Sequence, residues 1–193
     1  DLHRRAKKYL YSDYHSDFSM EENSAVISLG KGFGRRLRTG AKAGITSVYC
    51  SDPLATFSGR EREHTYTAGF FLQYDSRDWP LYPRSGFLAD IGSVWTGTDR
   101  DRFFARTACT AQFYLPVFSQ NIIACKTELK ISGGGVPVFR RLHLGGGDTI
   151  RGYATGSVAG DNSLFISCEY RFPIVYSRNP LAGLHGGYAG VIF

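Results

Sequence analysis

The sequence predicts an all-β fold, an antiparallel transmembrane β-barrel segment of about nine strands. Apolar side chains recur at every second position over long stretches, a period that belongs to strands and not to helices. Aromatics make up 15% of the 193 residues, with 23 Gly and a single Met; flat bulky rings suit a pleated surface and Gly suits tight turns. No apolar run approaches the roughly 18 residues that a spanning helix needs. The mild mean hydropathy agrees with strands that show lipid only at alternate residues. So much aromatic mass also excludes disorder.

The expected strands run, in order, over 8–18, 24–33, 36–50, 64–75, 85–97, 102–117, 120–133, 162–176 and 181–193. The first two and the last rest on weak alternation. In 36–50, Ala41, Ala43, Ile45 and Tyr49 oppose Lys42 and Thr46. In 64–75, Tyr66, Ala68, Phe70, Leu72 and Tyr74 oppose Thr65, Thr67, Gln73 and Asp75. In 85–97, Phe87, Ala89, Ile91 and Trp95 oppose Asp90 and Gly92. The clearest run is 102–117. Its odd positions carry Phe103, Ala105, Thr107, Cys109, Ala111, Phe113, Leu115 and Val117, against Arg106, Thr110 and Gln112. In 120–133, Ile123, Cys125, Leu129 and Ile131 oppose Lys126, Glu128 and Lys130. In 162–176, Leu164, Ile166, Cys168, Tyr170 and Phe172 oppose Ser163, Ser167, Glu169 and Arg171. Between strands, Phe118-Ser119 reads as a short turn and 51–63, 76–84 and 134–161 as longer polar connections, which is the layout of a membrane barrel with turns on one side and loops on the other.

Alternation alone does not choose between this barrel and a soluble β-sandwich binding module, because in a sandwich the apolar face is the core and in a membrane barrel it faces lipid. Strand length favours the barrel, since soluble strands usually have about five or six residues. Aromatic placement does too: Trp79, Tyr82, Trp95, Tyr114, Tyr170, Phe172 and Tyr176 fall near strand ends, where membrane barrels carry aromatic girdles.

The net charge is +6, but apart from Arg4-Arg5, Arg35-Arg36 with Arg38, and Arg140-Arg141 the positives are scattered. No basic helix is legible and no nucleic-acid partner is expected. Cys50, Cys109, Cys125 and Cys168 lie far apart without a C-x-x-C; the last three share the apolar parity and read as small hydrophobes, with a disulfide left open. The histidines lack ligand spacing, and no metal or cofactor is expected. Gly30-Lys31-Gly32-Phe33-Gly34 lacks the Lys-Ser/Thr ending and following helix of a phosphate loop. No nucleophile elbow is present. The start, Asp1-Leu2-His3-Arg4-Arg5, has no signal-peptide pattern, so either one was removed or the chain begins inside a larger protein.

Three motifs remain. Asp75, Arg77, Asp78, Pro83 and Gly86 form D-x-R-D-x-x-x-x-P-x-x-G; Gly146, Gly147, Arg151, Gly152 and Tyr153 belong to a G-G-x-x-x-R-G-Y run; and residues 169–173 read Glu-Tyr-Arg-Phe-Pro. Together, in this order and spacing, they resemble the BamA-type outer-membrane insertases and transporters, the bacterial surface antigen barrels. The resemblance covers roughly residues 65–193. It implies a sixteen-stranded barrel in the outer membrane whose sixth outer loop folds back into the lumen and carries Arg151. A guanidinium held inside a barrel needs carboxylates, and Glu169, on the inward parity of the next strand, is the first candidate partner, in a fork that suits Arg and not Lys. Gly152 is expected to let the backbone approach the wall, and Tyr153 to supply an aromatic contact.

No POTRA-like pattern is present, so residues 1–193 are expected to form one barrel segment, strands five to thirteen of the sixteen, with Ile192-Phe193 opening the family's next F-x-D element. The resemblance implies a non-enzymatic role in outer-membrane protein assembly or translocation. Its partners would be the lipid bilayer, unfolded outer-membrane protein clients and accessory assembly lipoproteins. The alternatives are the barrel anchor of a patatin-like phospholipase and a two-partner secretion pore.

Overall fold

In a computed structural model of the chain, residues 2–9, 18–51, 61–98, 102–118, 121–137, 140–147, 149–173 and 188–192 are described. Nine strands form one antiparallel sheet: β1 (Leu2–Tyr9), β2 (Phe18–Phe33), β3 (Leu37–Cys50), β4 (Arg62–Asp75), β5 (Gly86–Thr98), β6 (Phe103–Val117), β7 (Asn121–Gly134), β10 (Ser163–Pro173) and β11 (Tyr188–Ile192). They neighbour one another in that order. Between β7 and β10 the chain leaves the sheet and makes a small hairpin of its own, β8 (Leu142–Leu144) against β9 (Val158–Gly160).

Six expected strands, those that became β3 to β7 and β10, hold to within a few residues, apart from 174–176, which lie outside the described residues. Three need correction. The expected strand 8–18 is instead two strand ends, Leu2–Tyr9 and Phe18–Phe33, paired with Tyr9 opposite Phe18; residues 10–17 lie outside the described residues. The strand expected from 24 begins at Phe18. Of 181–193, Tyr188–Ile192 is strand and the rest lies outside the described residues. The turn 76–85, grouped above with the long loops, stands on the rim of the turns 34–36 and after Phe118, because strand count and not loop length sets the rim.

The two faces divide as a membrane barrel requires. On β4 the apolar set is the exposed one: Tyr66, Phe70 and Leu72 are 52%, 42% and 42% exposed, whereas Glu63 and Thr65, on the opposite parity, are 2% and 3% exposed. Register carries this across the sheet. Ile45, Tyr66 and Gly97 follow one another on the outward face, and Thr46 and Thr65 on the inward one. A β4 of 14 residues at roughly 3.3 Å each is about 46 Å long, and a tilt of about 40° leaves a height of about 35 Å, enough for an apolar band of about 25 Å. Outward aromatics stand toward both rims, Tyr49, Tyr66, Trp95 and Phe103 on the loop side and Phe33, Tyr74 and Phe113 on the turn side. Tyr66 and Tyr74 are eight steps apart on one strand, about 20 Å in height by the same geometry. Tyr114 is not a girdle residue: it faces inward, donates to Gln112 Oε1 at 2.9 Å and lies under the Arg171 guanidinium. Tyr176 lies outside the described residues.

The cysteine reading also changes. Cys125 and Cys168 are direct partners across β7 and β10, their Cα atoms 4.2 Å apart, and they form a disulfide. Parity had placed both on the apolar face; register makes them neighbours. Cys109 keeps a free thiol. The bridge closes a loop of sequence separation 43, so reduction should remove about 2–4 kcal/mol by loop-entropy reasoning. Thermal melting with and without reductant should show this shift, Cys168→Ala should abolish it, and Cys109→Ser should leave it intact.

Candidate functional site

The loop between β7 and β10 lies on the polar face of the sheet. Its root is fixed by charge. Arg140 NH2 meets Glu22 Oε1 of β2 at 2.7 Å, and Arg106 of β6 donates to the Arg140 carbonyl at 2.6 Å and to Ser132 Oγ at 2.9 Å. These contacts join strands four places apart in the sheet, about 19 Å along a flat one. Asn162 closes the other leg by accepting from the Ser132 amide at 2.7 Å. Glu22, Arg106 and Arg140 are not among the site residues that the sequence offers; the Arg140-Arg141 pair and the polar parity of Arg106 are the signals it carries.

Beyond the β8–β9 hairpin, the tip folds on itself. The Gly146 amide donates to the Tyr153 carbonyl at 3.1 Å, Thr149 Oγ1 accepts from the Gly145 amide at 2.8 Å, and the Thr149 amide reaches the Gly146 carbonyl at 3.2 Å. Gly145 (φ 120°) and Gly146 (φ 95°) occupy a left-handed region that side chains avoid. A Cβ on Gly145 would strike the Ala154 carbonyl, and one on Gly146 would sit 2.9 Å from Thr155 Oγ1. Gly147 has no such neighbour. Gly152 is needed for its φ of 87°; a Cβ there meets nothing within 4 Å, so the expected close approach to the wall does not occur. Tyr153 is 60% exposed and holds the tip through its backbone.

Arg151 and Glu169 do come together. Arg151 NH2 lies 3.5 Å from Glu169 Oε1, and Arg151 Nε donates to the Gly147 carbonyl at 3.3 Å. The forked bond, however, belongs to Arg171, whose Nε and NH2 both reach Glu169 Oε2, at 2.9 and 2.7 Å. One carboxylate therefore serves two guanidiniums, one from the wall and one from the loop. Arg151 keeps 61% of its side chain exposed against 22% for Glu169, so its pair counts as a screened contact, worth about 0–1 kcal/mol. Around them, Gln112, Lys126, Ser167 and Ile150 help line a cleft of about 640 Å³ between loop and wall. Nearby, Glu128 is bracketed by Lys126 at 3.0 Å and by Lys130.

The D-x-R-D motif builds the turn between β4 and β5. Arg77 forks onto Asp75, Nε to Oδ1 at 2.9 Å and NH2 to Oδ2 at 2.8 Å. Asp78 Oδ1 accepts from the amides of Trp79 at 2.8 Å, Arg84 at 2.9 Å and Ser85 at 3.3 Å. Pro83 is buried. Gly86 has φ 106°, and a Cβ there would lie 2.5 Å from the Ser76 carbonyl. Asp78 and Gly86 are thus fixed by the backbone, Asp75 and Arg77 by each other's side chains, and Pro83 by burial. Partial burial, the largest single influence, pushes the Asp78 carboxyl up, but the three amides together hold it below the usual carboxylate range.

The chain belongs to the Omp85 superfamily, whose domain matches residues 4–184. Its fold is that of an outer-membrane barrel of the BamA type: it superimposes on the crystal structure of BamA from Haemophilus ducreyi lacking POTRA domains 1–3 with a TM-score of 0.79 at 16% identity, over 93% of this chain. The chain spans 42% of the length of that structure. A comparison with curated proteins finds no match.

Two outcomes follow for the turn. Gly86→Ala should cost on the order of 1–3 kcal/mol, since both strain and a backbone collision oppose it, and should lower the melting temperature where Gly147→Ala does not. A carboxyl whose folded pKa is depressed stabilises above its unfolded pKa, about 3.9, and loses that contribution as pH falls through the lower folded value. The melting advantage of the parent over Asp78→Asn should therefore be complete at pH 7 and shrink as pH is taken below about 4.

Proposed function

We propose that residues 1–193 form one wall segment of an outer-membrane barrel that assembles or translocates other proteins, and that the β7–β10 loop sets the conformation of that wall. The observation that carries this reading is the loop lying on the polar face, with Arg151 beside the Glu169–Arg171 pair and Arg140 beside Glu22. A loop tied at its root and touched at its tip stiffens the strands beneath it. The work is mechanical and not chemical. Opening takes place elsewhere along the barrel, where a client strand adds to an exposed sheet edge through backbone hydrogen bonds. The partners are the lipid bilayer, unfolded outer-membrane protein clients and accessory assembly lipoproteins. The site residues are Gly146, Gly147, Arg151, Gly152, Tyr153 and Glu169, with Arg171 and Arg140 added from their contacts.

In the intact protein, Arg151→Ala should raise protease cleavage within 145–157 and reduce client insertion while leaving the heat-modifiable mobility of the barrel. Glu169→Gln, which takes the carboxylate from two arginines, should loosen the loop more and reduce heat-modifiability as well. Unchanged client insertion in both variants would reject the assembly role.

A further inference from the structure

The turn rim carries a feature that the assembly role leaves unused. Trp79, Leu81 and Tyr82 stand at the tip of turn 76–85 and are 62%, 80% and 75% exposed. This is not a slack loop. The Arg77–Asp75 fork, the three amides on Asp78 and buried Pro83 fix the frame that holds the tip out. Large apolar side chains on a fixed frame call for a cover. The Asp75 amide also donates to the Arg36 carbonyl at 2.8 Å, which joins this turn to turn 34–36. Arg35, Arg36 and Arg84 are all exposed there. The patch lies at the same rim as the outward Phe33, Tyr74 and Phe113, and Phe118, 88% exposed, stands on the next turn along that rim.

We propose that turns 34–36 and 76–85 form an interfacial anchor that seats this rim in an anionic phospholipid surface. The chemistry selects the partner. Trp and Tyr prefer the boundary where one end of the ring is apolar and the other wet. Leu81 adds a purely apolar wedge. Three arginines beside them offer phosphate ligands, and cations near an anionic leaflet gain attraction that a zwitterionic one does not supply. Continuity with the outward aromatics places the tip at the edge of the apolar band. The inference rests on the reading that the outward face meets lipid, and the two tryptophans of the chain allow the two to be tested apart: Trp95 lies on the outward face and Trp79 at the tip.

The test uses the intact protein with Trp79 or Trp95 as its one remaining tryptophan, reconstituted in vesicles of phosphatidylcholine alone or mixed with phosphatidylglycerol, each with lipids brominated near the head-group end of the acyl chains. Both tryptophans should be quenched. Quenching of Trp79 should rise with phosphatidylglycerol, and each of Arg35→Gln, Arg36→Gln and Arg84→Gln should lower the seated-to-free ratio of the tip about fivefold, with Trp95 quenching unchanged as the sign of an intact barrel. Trp95 quenched while Trp79 emits as in water overturns the anchor and leaves the membrane reading standing. A blue-shifted Trp79 that lipid bromine does not quench means that protein covers the tip, and also overturns it. Quenching indifferent to phosphatidylglycerol and to the arginines overturns the anionic selectivity. Neither tryptophan quenched defeats the membrane reading and the anchor together.

Discussion

A backbone that crosses hydrocarbon has no water to satisfy its N–H and C=O groups, so each must find a partner in the protein. The unbroken antiparallel ladder from β1 to β11 meets that demand between neighbouring strands. Once the ladder is fixed, side chains can only point two ways. The exposed Ile27, Ile45, Phe70 and Ile166 occupy one side and Thr46, Thr65, Lys126 and Glu169 the other. Everything else in the molecule, the loop included, is arranged with respect to that division.

The polar side can hold charge because the charges answer one another. Glu169 meets Arg171 and Arg151, Glu128 meets two lysines, and Glu22 meets Arg140. Removing the carboxylate of such a set leaves its part-buried cation with desolvation uncompensated, whereas Glu169 and Glu128 each keep a partner when one cation is lost. The contacts differ in weight. The root of the loop is held by a 2.7 Å pair and a bond to its backbone, and the tip by a longer, exposed contact. A loop fixed at the root and lightly held at the tip can move at its end without leaving the wall.

Much of this was legible in the sequence. Alternation over β3 to β7 and β10 is strong because each carries bulky apolar residues at one parity and Thr, Lys, Glu or Arg at the other. β1 was misplaced because Leu2-His3-Arg4-Arg5-Ala6-Lys7-Lys8-Tyr9 has no apolar alternation to read. The β8–β9 hairpin has three residues to a strand, too few for any period to appear. Position along a strand makes Tyr114 a girdle candidate, and only parity turns it inward. The Arg140–Glu22 pair joins residues 118 apart in the chain, and no local pattern reports on that. Arg151 with Glu169 is reachable because a motif and a parity both point there; the closer bond of Arg171 is within reach of parity too, since it stands two residues from Glu169 on the same face of one strand.

The disulfide reaches further than its stability. A ladder slip of one residue would turn Cys168 and Cys125 to opposite faces, and a slip of two would set Cys168 across from Ile123 or Thr127, with Cys125 roughly 6–7 Å farther along the strand, beyond what a sulfur–sulfur bond spans. The oxidised form can therefore arise from one alignment of β7 and β10 alone. Covalent closure thus proofreads the zipper from which the inner loop springs: a molecule that has oxidised here has already laid those strands down correctly.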